Sequence, residues 1–130
     1  MTQLEFLNDT IAYYSVDPVN RRCTDKEGNC KYSPKTVNKV GLSEGCAIGR
    51  KLPPNVQVLL DSSSYGSIDC IKRDDPVKYD KLPEWMKEFP ILFLEAVQRL
   101  HDNAAFWTDT GLSESGIAKV NEIKQRFNLN

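Results

Sequence analysis

The pattern that most constrains this chain lies in its last third. Phe93, Ala96, Val97, Leu100, Ala104 and Trp107 recur three or four residues apart and make one apolar stripe, with Glu95, Gln98, Arg99 and Asp102 opposite. A period of 3.6 marks a helix with one face in a core. Pro90 opens that helix, because a first-turn residue has no intrahelical amide bond to lose. Ser113 caps a second helix whose inward face reads Ile117, Val120, Ile123 or Lys124, and Phe127. Two striped helices need further elements to cover them.

The rest of the chain supplies these as short segments. Thr2 and Glu5 have capping-box spacing, and Leu4, Leu7, Ile11 and Tyr14 follow at helical intervals, so residues 3–15 read as a helix stopped at Asp17-Pro18. Residues 21–24, 25–28 and 29–32 read as strand, turn and strand, with Cys23 facing Cys30 and Arg21 facing Tyr32. Residues 33–45 read as an exposed loop, 45–52 as a short helix ended by Pro53-Pro54, and Pro54 as the start of a helix burying Val56, Leu59 and Leu60. The expected fold is therefore α+β: a predominantly helical single domain, residues 1–130, with one small antiparallel β-hairpin near residues 21–33. That length is ordinary for one domain. No apolar run reaches the roughly 18 residues that cross a bilayer, and the first residues are not signal-like, so an intracellular address is expected.

Net charge is −1, but its distribution is uneven. Residues 21–51 carry Arg21, Arg22, Lys26, Lys31, Lys35, Lys39, Arg50 and Lys51 against Asp25, Glu27 and Glu44, a balance of +5; the remainder stands at −6. Such asymmetry suits an anionic partner, although a basic loop can equally be a solvated surface. Nucleotide-like ligands need cations for phosphate and flat rings for a base. Arg21, Arg22, Lys31, Arg50 and Lys51 around Tyr32 are the candidate ligand-binding residues. Tyr32 is the expected surface ring, with Tyr13, Tyr14 and Trp107 as further stacking candidates or core anchors. Direct nucleic-acid binding is disfavoured by a pI near 5.8.

Cys23, Cys30, Cys46 and Cys70 show no close C-x2-4-C pair, so ordinary thiols, a Cys23–Cys30 disulfide and a metal site stay open, and no metal ligand is assigned. Cys46 follows Gly45 at an expected helix start, where unpaired amides activate a thiol. The lone histidine, His101, gives the alternative reading: a thiol-dependent hydrolase or transferase using Cys46 and His101. On a helix Asp102 projects about 100° from His101, so adjacency does not make them partners. The stretch Ser62–Ser67 offers hydroxyls and a glycine that can wrap a phosphate or simply turn. Phosphate-binding, dinucleotide, zincin and nucleophile-elbow motifs are absent. No cofactor is called for.

Cys30-Lys31-Tyr32, Gly45-Cys46-Ala47-Ile48-Gly49-Arg50, Gln98-Arg99-Leu100-His101-Asp102 and Gly111-Leu112-Ser113 together resemble a family of small bacteriophage and prophage proteins, over residues 3–127. The resemblance implies an accessory protein in the host bacterial cytoplasm that binds a host protein or sequesters a small signalling molecule, as in countering host defence. It implies no catalytic residue. The expected function is thus capture of an anionic small molecule or a host protein through the basic hairpin and the Cys46–Arg50 segment. Binding is favoured over catalysis, and no membrane partner is expected. Phe93, Trp85 or Trp107 can serve a homo-oligomer interface as readily as a core.

Overall fold

The computed structural model describes residues 1–23, 31–33, 44–62 and 66–130, and prolines set where most of its helices begin. Pro18, Pro54 and Pro76 sit in the first turns of α2 (Pro18–Arg21), α3 (Pro54–Asp61) and α5 (Pro76–Tyr79). Pro83 and Pro90 stand immediately before α6 (Glu84–Lys87) and α7 (Ile91–Asp102). The remaining helices are α1 (Gln3–Val16), α4 (Ile68–Asp74) and α8 (Glu114–Arg126). The domain is predominantly helical with one small antiparallel hairpin. No helix among the described residues is long and apolar enough to cross a membrane.

Helix α1 begins with the expected capping box. The Glu5 amide donates to Thr2 Oγ1 at 3.1 Å and the Thr2 amide to Glu5 Oε1 at 2.9 Å. Its buried residues are Phe6, Leu7, Thr10 and Tyr14, so the inward face is turned from the expected one, leaving Leu4 and Ile11 half-buried. Thr10 is tolerated there because its hydroxyl donates to the Phe6 carbonyl at 2.7 Å.

The hairpin that the structure describes is a different one from that expected near residues 21–33. Asp17 accepts from the Asn20 amide at 3.2 Å and restarts the chain as α2, which makes Arg21 helical. The expected hairpin's residues 24–30, Cys30 among them, lie outside the described residues. What is described of that pairing is one bond, from the Lys31 amide to the Cys23 carbonyl at 3.1 Å. The antiparallel pair is instead β1 (Trp107–Thr108) with β2 (Gly111–Leu112), in the register Trp107 to Leu112 and Thr108 to Gly111.

Tyr32 is the second departure, being 1% exposed rather than a surface ring. Its amide donates to Asp61 Oδ1 at 2.8 Å, the Ser33 amide to Asp61 Oδ2 at 3.0 Å, and its hydroxyl to the Gly66 carbonyl at 2.7 Å. Gly45 and Gly49 let this happen. A Cβ on either would fall inside the van der Waals shell of the Tyr32 carbonyl oxygen, and Gly45 also holds φ +118°. Between them the expected helix is reduced to one 3-10 turn, Gly49–Lys51.

Helix α7 packs against α1, α4 and α8 and is the central element. It is therefore buried almost all round: Glu95 and Gln98, expected on the solvent face, are both inside. Gln98 is satisfied there, accepting from the Ile48 amide at 3.3 Å and donating to Asp102 at 2.9 Å. The helix ends at Asp102, so Ala104 is exposed while Trp107 anchors β1, its indole donating to the Leu100 carbonyl at 2.8 Å. Ser113 caps α8 as expected, accepting from the Gly116 amide at 3.1 Å. Gly116 then comes so close to the Phe106 carbonyl that a Cβ would clash, and this contact turns the helix to bury Gly116, Val120 and Ile123 and to expose Ile117. Phe6, Phe89 and Phe93 meet at the centre with ring centroids 5.5–6.3 Å apart, and Phe127 closes the cluster 5.4 Å from Phe93.

Gly49→Ala is expected to cost about 3 kcal/mol or to prevent folding, because main chain rather than a movable side chain blocks the new methyl. Gly66→Ala, with nothing within 4 Å of its Cβ position, should change stability by no more than about 0.5 kcal/mol. Urea unfolding midpoints measure both.

Candidate functional site

The end of α7 receives the described hydrogen bonds that reach farthest along the sequence. Arg22 donates from Nε to the His101 carbonyl at 2.7 Å and from Nη2 to the Asp102 carbonyl at 2.6 Å. It thereby caps two carbonyls at the negative end of the helix dipole. The next amide, Cys23, donates to His101 Nε2 at 2.9 Å. A backbone amide can only donate, so Nε2 is the ring's acceptor and the proton lies on Nδ1. Nδ1 in turn donates to Asp102 Oδ1 at 2.7 Å. The 100° offset of an ideal helix does not hold these neighbours apart, because Asp102 is the last residue of α7. Tyr14 lays its ring against the imidazole at 4.7 Å and donates its hydroxyl to the Gly45 carbonyl at 2.6 Å. Burial, with the Cys46 thiol beside it, pushes the Tyr14 hydroxyl well above the usual tyrosine range.

This network occupies both nitrogens of His101, which is 0% exposed. Cys46 is also 0% exposed, and its sulfur accepts from the Gly49 amide at 3.4 Å. A dyad needs a ring nitrogen to take the thiol proton, and the positions that would do so are held by the Cys23 amide and the Asp102 carboxylate.

Arg21, Arg50 and Lys51 are likewise engaged within the fold. Arg50, its side chain 5% exposed, reaches Asp9 at 2.5 Å, and Lys51 reaches the same carboxylate oxygen at 2.8 Å. Burial opposes ionisation of Asp9, yet hydrogen bonds and charge from Lys51 and Arg50 hold its carboxyl below the ordinary aspartate value. The guanidinium groups of Arg21 and Arg50 lie 4.5 and 4.9 Å from the centre of the Tyr13 ring. Arg21 also donates to the Tyr13 carbonyl at 3.0 Å. Of the six candidate ligand-binding residues, Lys31 is exposed and Tyr32 is buried. In the serine-rich stretch, Ser62 and Ser67 bond within the fold, to the Leu59 carbonyl and to Asp69, and residues 63–65 lie outside the described residues. Among the described residues no group of three or more His, Cys, Asp or Glu is arranged to hold a metal ion.

A cleft that sequence reasoning missed lies beside the same helix end. Arg99, Asp102, Asn103, Phe106 and Lys119 line a cavity of about 390 Å³. Arg99 and Asp102 lie on the helix face that the sequence pattern read as solvent surface, while Asn103 and Phe106 come from the turn after α7 ends. Arg99 is 76% exposed and held by one 3.4 Å contact with Glu95, while Lys119 pairs with exposed Glu122 at 3.0 Å. Asn103 spends its Oδ1 on the Ala105 amide at 3.0 Å and keeps its NH2 group for other partners. Behind Arg99, Glu95 accepts from the Asp69 amide at 3.4 Å. Burial pushes the Glu95 carboxyl above the ordinary glutamate range, and the hydrogen bond with the Asp69 carboxyl adds to this.

No family model, characterised protein or solved structure matches the chain. Function is therefore argued from these side chains.

Two outcomes follow from the geometry. Arg22→Ala is expected to lower stability by roughly 2–3 kcal/mol, since charged hydrogen bonds to two helix-end carbonyls are lost. Exposed Lys31→Ala should stay within about 0.5 kcal/mol of the parent; denaturant titration compares them. Glu95→Gln should raise the melting temperature near neutral pH. A carboxyl whose folded pKa is raised stabilises below its unfolded value, 4.5, and loses that contribution as pH rises through the folded value. The gain should therefore be larger at about pH 7.5 than at about pH 4.5 in paired thermal melts.

Proposed function

We propose that this protein is a binding domain rather than a catalyst, and that it takes an anionic, ring-bearing small molecule of nucleotide type into the cleft beside α7 and α8. The observation that carries this reading is the conjunction of two cations, a half-buried ring and an amide, from Arg99, Lys119, Phe106 and Asn103, in one cavity of about 390 Å³. Pockets of that size suit small ligands. Exposed ion pairs are worth only about 0–1 kcal/mol. A phosphate, with more charge and several acceptor oxygens, therefore displaces exposed Glu122 at little cost, and it takes Arg99 from a Glu95 carboxyl that burial pushes toward the neutral form. Phe106 offers a face for stacking a base.

This reading prefers the cleft to residues 21–51 because the guanidinium groups there serve Asp9, Tyr13 and the end of α7. An accessory role in a phage-infected bacterium, with a host signalling nucleotide as the captured molecule, is supported by the short-motif resemblance alone. The cleft does not depend on it.

Calorimetric titration with GMP is the test. Binding is expected, and Arg99→Ala and Lys119→Ala should each weaken it at least about tenfold, a loss of about 1.4 kcal/mol, with unchanged melting temperatures. Undiminished affinity in both variants would remove the cleft as the site. No heat from GMP, AMP or inorganic phosphate at millimolar concentration would remove the reading altogether.

A further inference from the structure

Resting on that assignment of the cleft, we propose that Asp102 determines its specificity, as a fixed carboxylate that selects a guanine-type base edge, with His101 and Gln98 as its positioning residues. Asp102 lines the cleft, yet its side chain is only 25% exposed. One oxygen, Oδ1, accepts both from His101 Nδ1 at 2.7 Å and from Gln98 Nε2 at 2.9 Å. Among the described residues nothing donates to Oδ2. The carboxylate is therefore immobilised through one oxygen and offers the other. Its orientation is set from the far side of the imidazole, because the Cys23 amide at Nε2 forces the proton onto Nδ1.

A carboxylate is a pure acceptor, and a fixed one reads its ligand by which atoms it rejects. Guanine presents two adjacent N–H groups, at N1 and N2, and both face such an acceptor favourably. Adenine presents one amino group beside a bare ring nitrogen, whose lone pair would meet the carboxylate charge. Xanthine replaces the N2 amino group with a carbonyl oxygen, which would do the same. Asn103, with its Oδ1 already occupied by the Ala105 amide, has a free donor that suits the guanine O6. Arg99 and Lys119 are left for the phosphate.

The test compares GMP, AMP and XMP by calorimetry on the parent protein and on Asp102→Asn. That substitution keeps an oxygen for His101 and Gln98 and turns the cleft-facing acceptor into a donor. The parent should bind GMP at least about tenfold more tightly than AMP or XMP. In Asp102→Asn the preference should invert in favour of XMP, which loss of packing alone would not produce. Equal affinities for the three nucleotides in the parent overturn the assignment of Asp102 while leaving the cleft as the site, and this holds even if the variant does not fold. A parent preference that survives Asp102→Asn also overturns it. Absence of binding by any of the three overturns the cleft and the inference together.

Discussion

A buried amide that can only donate sets the terms for one whole end of this molecule. The Cys23 N–H meets His101 Nε2 with no water in reach, so the ring must be neutral at that nitrogen and carry its proton on the other. Asp102 is then the natural acceptor. An unsatisfied buried donor costs about 1–3 kcal/mol, and losing the imidazole would strand the Cys23 amide, the Asp102 carboxylate and one bond of Gln98 at once. Arg22 reinforces the junction from the residue next door, on the carbonyls of the same two residues. The segment after α2 is thus fastened to the end of α7 by adjacent main-chain and side-chain donors, and that helix end is also the wall of the cleft.

The second fastening works by absence of side chains. Gly45 and Gly49 are four residues apart, and the main chain of Tyr32 runs where their Cβ atoms would be. Close approach of two backbones leaves amides to be satisfied elsewhere, and Asp61 at the end of α3 takes those of Tyr32 and Ser33. Gln57, one turn after the start of α3, donates to the Gly49 carbonyl at 2.8 Å. The glycines, the tyrosine and the two polar residues of α3 act as one joint.

What was legible in the sequence was local. The capping box at Thr2, the cap at Ser113 and the helix starts at Pro54 and Pro90 depend on neighbours within four residues, and they stand where the pattern put them, whereas Pro18, expected only to stop α1, also starts α2. The faces were less legible. Periodicity announces that a helix has a buried side, but its width depends on how many neighbours surround it. Helix α7, touched from three directions, buries Glu95 and Gln98 as well. The inward faces of α1 and α8 are turned by contacts no periodicity contains, a back-bonded Thr10 in one and the Gly116 approach to Phe106 in the other. The cleft was partly legible: Arg99 and Asp102 share the outward face of α7 by spacing, whereas Asn103 and Phe106 follow its end. The second cation, Lys119, arrives from a different helix, and that placement is tertiary information.

The basic stretch shows how folding pairs charge that a count along the chain leaves open. Its surplus of five positive charges is real in sequence, but folding brings acids and dipoles to it from outside. Asp9, about forty positions from Arg50, neutralises Arg50 and Lys51 together, the dipole of α7 absorbs Arg22, and the Tyr13 ring takes Arg21 and Arg50. A potential that attracts an anion is made by cations whose partners are weak, not by cations that are many. Arg99 meets that condition in a segment whose sequence is unremarkably mixed in charge: its counter-ion is a buried carboxyl that burial and Asp69 push toward the neutral form. Protonation of Glu95 would release Arg99 to the cleft, so the acid behind the cation sets how much positive charge the cleft wall carries.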